Sequence, residues 1–120
     1  MLRRHTISFK HAFEGLVYAL STQPNYRIHL ILSFVAVLGG SYFQIEQSEF
    51  LVIGILIVLG LVIETVNTAI EETCDAIGTA IRPEIKIAKD TSAAAMLIFA
   101  IGAVVLASAI FIPRIISLFS

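Results

Sequence analysis

Charged side chains are scarce in this sequence, and their scarcity excludes most classes of soluble protein. Only 14% of the 120 residues are charged and 58% are hydrophobic, whereas soluble proteins average about 25% and about 45–50%. A single cysteine, Cys74, rules out an intramolecular disulfide and a cysteine-based zinc site. The net charge of −1 gives nucleic-acid binding no electrostatic support. With a mean hydropathy of +0.92, the chain is predicted to be a small integral membrane protein.

Three apolar stretches predict an all-α membrane fold that occupies residues 1–120 as a single domain. The predicted spans cover residues 26–44, 48–70 and 91–112, each close to the roughly 20 residues that a transmembrane helix needs. Residues 4–20 carry apolar side chains at helical spacing, so we predict an amphipathic helix on the membrane surface before the first span. Pro24 should interrupt the helix there, and Asn25 is predicted to cap the helix that follows.

The basic residues predict the orientation of the chain in the membrane. Seven of the eight Lys and Arg residues precede the first span or lie between the second and third spans. Because cytoplasmic loops are enriched in these residues, the N-terminus and the second loop are predicted to be cytoplasmic and the C-terminus to be outside. The seven residues are Arg3, Arg4, Lys10, Arg27, Arg82, Lys86 and Lys89.

The second span ends in a row of polar side chains, which we call the acidic stripe: Glu64, Asn67, Glu71 and Asp75. Their spacing of three or four residues places them within about 80° of one another on a helix. An acid in lipid costs on the order of 2.5–3.5 kcal/mol, so the stripe should have a compensating cation, proton or water. Such oxygen ligands suit Mg²⁺. The other interpretation, ordinary interfacial charge, is the one we prefer for the neighbouring Glu72.

The residues after the stripe favour a polyphosphate site over an ion pathway. Lys89 and Asp90 follow on the same side of the membrane, and Lys89 either neutralises the stripe or contacts phosphate as a point charge. Glycine-rich phosphate loops are absent from the sequence, so a carboxylate-held metal would have to bind phosphate. The alternative functions are a small acid-dependent membrane transporter and an ion-conducting subunit, but both would place an essential acid near the middle of a span.

The stripe and its surroundings also form a specific sequence pattern. It consists of Glu64-x-x-Asn67-Thr68-Ala69-Ile70-Glu71-x-x-x-Asp75, then Ala88-Lys89-Asp90, with Ser8-Phe9-x-x-Ala12-x-x-Gly15-Leu16 and Asn25-x-Arg27-x-His29 upstream. On these residues the chain resembles the bacterial integral-membrane diacylglycerol kinase and undecaprenol kinase family. The resemblance covers residues 4–112.

The resemblance implies transfer of the γ-phosphoryl group of ATP to a lipid hydroxyl, with Mg²⁺ as cofactor. It also implies a homotrimer in the bacterial inner membrane, with cytoplasmic active sites shared between subunits. In this family Glu64 would be the general base that takes the hydroxyl proton, and Glu71 would hold Mg²⁺ on the nucleotide. The other implied assignments are ATP binding by Asp75, Lys89 and Asp90, and substrate positioning by Asn67 and Arg27.

Two details of the pattern bear on metal and substrate. Gln23 stands where the family usually has a second metal-binding glutamate. Its amide oxygen can still ligate Mg²⁺ and so assist ATP binding, but it brings no charge; Glu14 is an alternative ligand. The segments Ser8-Phe9 and Asn25-x-Arg27-x-His29 resemble the undecaprenol kinase branch more than the diacylglycerol kinase branch, so undecaprenol is the favoured acceptor and diacylglycerol the other.

Overall fold

Four helices make up the described part of the chain. A computed structural model describes residues 2–78 and 80–120, with side chains from residue 6 onward; the side chains of Arg3 and Arg4, used in the orientation prediction, lie outside that part. The helices are α1 (Leu2–Thr22), α2 (Pro24–Phe43), α3 (Gln47–Ile77) and α4 (Pro83–Ser117). The last three are long and apolar enough to cross a membrane. The predicted all-α fold, with a surface helix before three spans, is therefore confirmed.

The break between α1 and α2 is a single residue. Gln23 is extended, with φ −100° and ψ 110°, and Pro24 is the first residue of α2. The prediction that Asn25 caps this helix is wrong, because the fixed φ of proline suits the first helical position and the helix already begins there. Asn25 consequently lies inside α2.

The polar extensions of α3 and α4 determine where the acidic stripe lies. α3 continues seven residues beyond the predicted span to Ile77, and α4 begins eight residues before its predicted span at Pro83. The short connection between them makes the two helices antiparallel neighbours, and α3 packs against both α4 and α2. The stripe residues and Lys89 are therefore carried on regular helices that lie side by side.

Polar and apolar contacts stabilise the packing of the helices at the end opposite the acidic stripe. Glu46 and Glu49 form a reciprocal capping box at the start of α3, and the Arg114 guanidinium in α4 donates to both Glu49 oxygens over 3.0 and 2.6 Å. An apolar cluster of Ile45, Ile53 and Ile110 lies beside them. This end holds the spans together far from the stripe.

The spans bury little of their surface within one chain. In the most apolar 18-residue window of each helix, 11% of residues are buried in α2, 17% in α3 and 6% in α4. Apolar surface of this extent must be covered by lipid or by other protein chains. The chain is thus a multi-pass membrane protein whose outward-facing apolar surfaces are covered by lipid or by other chains.

Candidate functional site

The acidic stripe runs along one face of α3 from the interior towards solvent. The Glu64 side chain is only 1% exposed and Asn67 is 7% exposed. One turn further on, Glu71 is half-buried, and Asp75 is exposed. The predicted common face is therefore present, and it runs from the buried carboxylate of Glu64 to the exposed carboxylate of Asp75.

Hydrogen bonds from α4 connect to this face at two levels. The Ser92 hydroxyl donates to the Asn67 amide oxygen over 2.6 Å, and the Lys89 ammonium donates to the Asp75 carboxylate over 2.6 Å. Within α3 the Asn67 amide nitrogen donates to Glu71 over 3.4 Å. Two separate sets of hydrogen bonds thus join the stripe to the first turns of α4: Ser92 with Asn67 and Glu71, and Lys89 with Asp75.

Glu64 stands apart from both sets. Both of its carboxylate oxygens are buried and have no hydrogen-bond partner among the described residues. Burying a neutral polar group without a partner costs about 1–3 kcal/mol in typical proteins, and burying an ionised carboxylate costs more. A sequence that keeps an acid in this position has a use for its free oxygens, such as binding a proton or a hydroxyl group.

Three other predicted site residues are not joined to the stripe in the described part of the chain. Arg27 is exposed and Gln23 is half-buried, and among the described side chains no hydrogen bond links either of them to α3. Asp90 pairs with Lys86 of its own helix. The alternative ligand Glu14 pairs with His11 over 3.1 Å on α1. A bound ligand or a second chain would have to connect these residues to the stripe.

The chemistry of the stripe fits a magnesium ion held together with phosphate. Within residues 6–78 and 80–120, no group of three His, Cys, Asp or Glu side chains is arranged to hold a metal alone. Mg²⁺ does not require one, since it is usually bound by one or two carboxylates together with substrate phosphates and water. The half-buried Glu71 carboxylate would supply such a hard oxygen ligand at the accessible part of the stripe.

Sequence reasoning missed several residues that the structure connects to the stripe or to α3. The only signal for Ser92 was its position three residues after Lys89, which puts both on one face of α4. Glu72, interpreted as interfacial charge, accepts a 2.6 Å hydrogen bond from the Tyr18 hydroxyl and so ties α1 to α3. His29, named above only as part of the Asn25-x-Arg27-x-His29 segment, contacts the main chain of α3 at Ile57.

Comparisons with known proteins identify the family of the chain. The family model for prokaryotic diacylglycerol kinase matches residues 10–111. A diacylglycerol kinase from Synechocystis is 34% identical over 113 residues, which cover 93% of this chain and 65% of that protein. An undecaprenol kinase from Bacillus subtilis is 32% identical over 114 residues, which cover 95% of this chain and 93% of that protein. The chain belongs to the prokaryotic diacylglycerol kinase family, a family of lipid kinases.

Proposed function

We propose that this protein is a Mg·ATP-dependent kinase that phosphorylates the hydroxyl group of a membrane lipid at the cytoplasmic surface. The observation that carries the proposal is the buried Glu64 carboxylate, whose two oxygens have no partner among the described residues, on the same helix face as Asn67, Glu71 and Asp75. The proposed base, Glu64, is thus protected from water and lies on one helix face with polar groups suited to bind a charged nucleotide. Family membership supports the same reaction class.

In the proposed reaction, the lipid hydroxyl oxygen attacks the γ-phosphorus of ATP while the bond from that phosphorus to the β–γ bridging oxygen breaks. Glu64 accepts the hydroxyl proton, and ADP leaves with the bond's electron pair. A well-placed general base contributes about 10²–10⁴-fold. Most of the remaining acceleration comes from positioning and from charge neutralisation, because phosphoryl transfer involves little covalent participation by the enzyme.

The nucleotide is proposed to bind along the accessible part of the stripe. Glu71 would hold Mg²⁺, with Gln23 as a second, uncharged ligand, and the ion would neutralise phosphate charge. Lys89, whose side chain is 39% exposed and already paired with Asp75, would contact the phosphates as a point charge. Asp75 thereby orients Lys89, and Asp90 would contact the nucleotide from the next position of α4.

Undecaprenol is the acceptor that we favour over diacylglycerol. Relatives named for each lipid match this chain at similar identity, so the preference rests on the Ser8-Phe9 and Asn25-x-Arg27-x-His29 segments. Arg27 is exposed at the start of α2, where a cation would help position the acceptor or its phosphorylated product. Asn67, held by Ser92, would orient the substrate hydroxyl or phosphate.

A homotrimer with shared sites is the proposed assembly. The spans bury 17% of residues or fewer in their apolar windows, so additional chains would cover surface that one chain leaves exposed. Gln23 and Arg27 do not reach the stripe of their own chain. A neighbouring chain would bring further groups to that stripe. The distribution of basic residues supports a cytoplasmic N-terminus and active site and an external C-terminus.

Phosphate transfer from labelled ATP to defined lipids tests the proposed function. Purified protein in bicelles would receive undecaprenol or diacylglycerol, and the labelled product would be identified. Glu64→Gln should abolish product while leaving nucleotide affinity nearly unchanged. Glu84→Gln is the matched control, because Glu84 is exposed in the first turn of α4 and should retain wild-type turnover. Normal turnover in Glu64→Gln would overturn the general-base assignment.

A further inference from the structure

The imidazole ring of His29 occupies a gap that Gly60 leaves in α3. The ring nitrogen Nε2 lies 3.0 Å from the main-chain oxygen of Ile57, and because a carbonyl oxygen only accepts, Nε2 carries the hydrogen. A Cβ atom built on Gly60 would lie 2.3 Å from Cε1 and 2.6 Å from Nε2 of the ring. Only glycine therefore lets the ring of α2 reach the backbone of α3.

The same contact includes the third span. The Phe99 ring of α4 meets the His29 ring edge-on, with centroids 5.6 Å apart and an interplanar angle of 66°. Phe99 also crowds the Gly60 gap, since its Cε1 would lie 2.7 Å from the added Cβ. One imidazole thus contacts both neighbouring spans at a single level of the membrane.

That level lies directly beside the proposed base. Gly60 precedes Glu64 by four residues, so the two share a helix face about one turn apart. Because neither Glu64 oxygen has a partner in the described residues, no hydrogen bond to the carboxylate fixes its direction. Its direction depends on the position and rotation of the helical turn that carries it.

We propose that His29 is a positioning residue for phosphoryl transfer, which holds the turn from Ile57 to Glu64 so that the Glu64 carboxylate reaches the acceptor hydroxyl. This inference rests on the proposed function. Apart from Gln23, which precedes α2 six residues before His29, the proposed nucleotide ligands begin seven residues beyond Glu64, at Glu71, and continue on α4. Loss of the His29 contact should therefore slow the chemical step without weakening nucleotide binding.

The test compares His29→Leu, which removes the donor, with His29→Gln, whose amide N–H can still donate to the Ile57 oxygen. Lipid phosphorylation would be measured at varied Mg·ATP and saturating lipid. A displacement of about 1 Å can cost about 10²-fold, so we expect kcat to fall at least roughly tenfold in His29→Leu. The KM for Mg·ATP should stay within about twofold of wild type, and His29→Gln should recover most of the lost kcat.

Two further variants keep the test decisive. Gly60→Ala adds one methyl group that displaces the ring, and it should reproduce the kcat defect if His29→Leu does not fold. Ser33→Ala is the control, because Ser33 lies one turn further along α2 and donates only to the His29 main-chain oxygen, over 2.7 Å. Its kcat should equal that of wild type.

Several results would overturn the inference: wild-type kcat in both His29→Leu and Gly60→Ala, equal defects in the Leu and Gln variants, or a parallel rise in the KM for Mg·ATP. An equal loss in Ser33→Ala would do the same. Failure of the proposed function looks different, since wild-type protein would then phosphorylate no lipid and both proposals would fall together.

Discussion

The Ser92 hydroxyl donates a 2.6 Å hydrogen bond to the amide oxygen of Asn67, and this contact joins the start of α4 to the centre of the acidic stripe. Both residues are buried. Because the oxygen of the amide faces Ser92, its nitrogen is turned towards Glu71, 3.4 Å away. A serine outside the stripe thus orients the amide that we assign to substrate positioning.

Removing the Ser92 hydroxyl should lower both activity and stability. Ser92→Ala leaves the buried Asn67 oxygen without its donor, which costs about 1–3 kcal/mol. If part of this loss appears in the transition state, kcat falls by up to about tenfold for each 1.4 kcal/mol. Steady-state kinetics and thermal unfolding in the same detergent measure the two effects. Ser108→Ala, further along α4, is the control, and equal behaviour of the two variants would contradict the role of Ser92.

A charge at position 23 should strengthen metal binding. Gln23→Glu places a carboxylate on the proposed metal side of the site, and a negative charge next to the first turn of α2 is also favoured by the helix dipole. We expect half-maximal activity at a lower Mg²⁺ concentration. Gln47→Glu makes the same chemical change at the opposite end of the spans and should not alter the Mg²⁺ dependence. An unchanged Mg²⁺ requirement in Gln23→Glu would remove residue 23 from the ligand set.

The features that sequence predicted well are those set by neighbouring residues along the chain. Apolar length predicted three spans, Pro24 predicted the interruption after α1, and the three- and four-residue spacing predicted that Glu64 and Asp75 share a face. Each follows from the period of one helix. The predicted cap at Asn25 failed at the same local level, because proline began the helix one residue earlier.

Contacts between helices could not be predicted in this way. The Ser92–Asn67 bond and the fit of His29 into the Gly60 gap depend on how far two helices are shifted and rotated against each other. The residue pattern along one helix gives neither the shift nor the rotation of that helix against its neighbour. Small residues such as Gly60 indicate close approach somewhere on a membrane helix, but they do not identify the side chain that approaches.

The ion pair between Arg114 and Glu49 should contribute to stability and not to catalysis. Their side chains are 27% and 25% exposed, and they meet at the end of the spans opposite the stripe. Arg114→Ala leaves the partly buried Glu49 carboxylate without its cation, with only the Glu46 main-chain N–H among the described groups still donating to it, so we expect the free energy of unfolding to fall by roughly 1–3 kcal/mol. Denaturant titration in mixed micelles measures this change, and kcat of the folded fraction should be unchanged. Wild-type stability, or a selective loss of kcat, would contradict the prediction.

Two glycines in the spans should respond oppositely to alanine. A Cβ on Gly40 would lie 2.9 Å from both the Ile45 and Phe50 side chains, whereas a Cβ on Gly54 would meet no described residue within 4 Å. Overpacking typically costs about 1–3 kcal/mol, so Gly40→Ala should lower the unfolding temperature. Gly54→Ala should leave it equal or higher, since alanine favours helix over glycine by about 1 kcal/mol. The same unfolding temperature in both variants would show that the Gly40 contact is not tight.

The hydrogen bond from Tyr18 to Glu72 should keep α1 attached to α3 across neutral pH. The phenol donates to the carboxylate over 2.6 Å, and this bond raises the pKa of Tyr18 above its ordinary value of 10.0. Because the folded pKa is raised, the stabilisation is fully present below the unfolded pKa and is lost only as the pH rises through the folded value. Docking of the surface helix should therefore be insensitive to acid as long as Glu72 remains ionised.

Ultraviolet absorbance titration of tyrosinate measures that shift directly. The chain has three tyrosines, so the difference between wild type and Tyr18→Phe isolates the signal of Tyr18. Its midpoint should lie above 10.0 in wild type and move down in Glu72→Gln, because the neutral amide removes both the charge and the strong acceptor. Tyr42→Phe, which changes an exposed tyrosine at the far end of α2, is the control and should leave the Tyr18 midpoint in place. If the Tyr18 midpoint is the same in Glu72→Gln as in wild type, this pair does not connect α1 to α3.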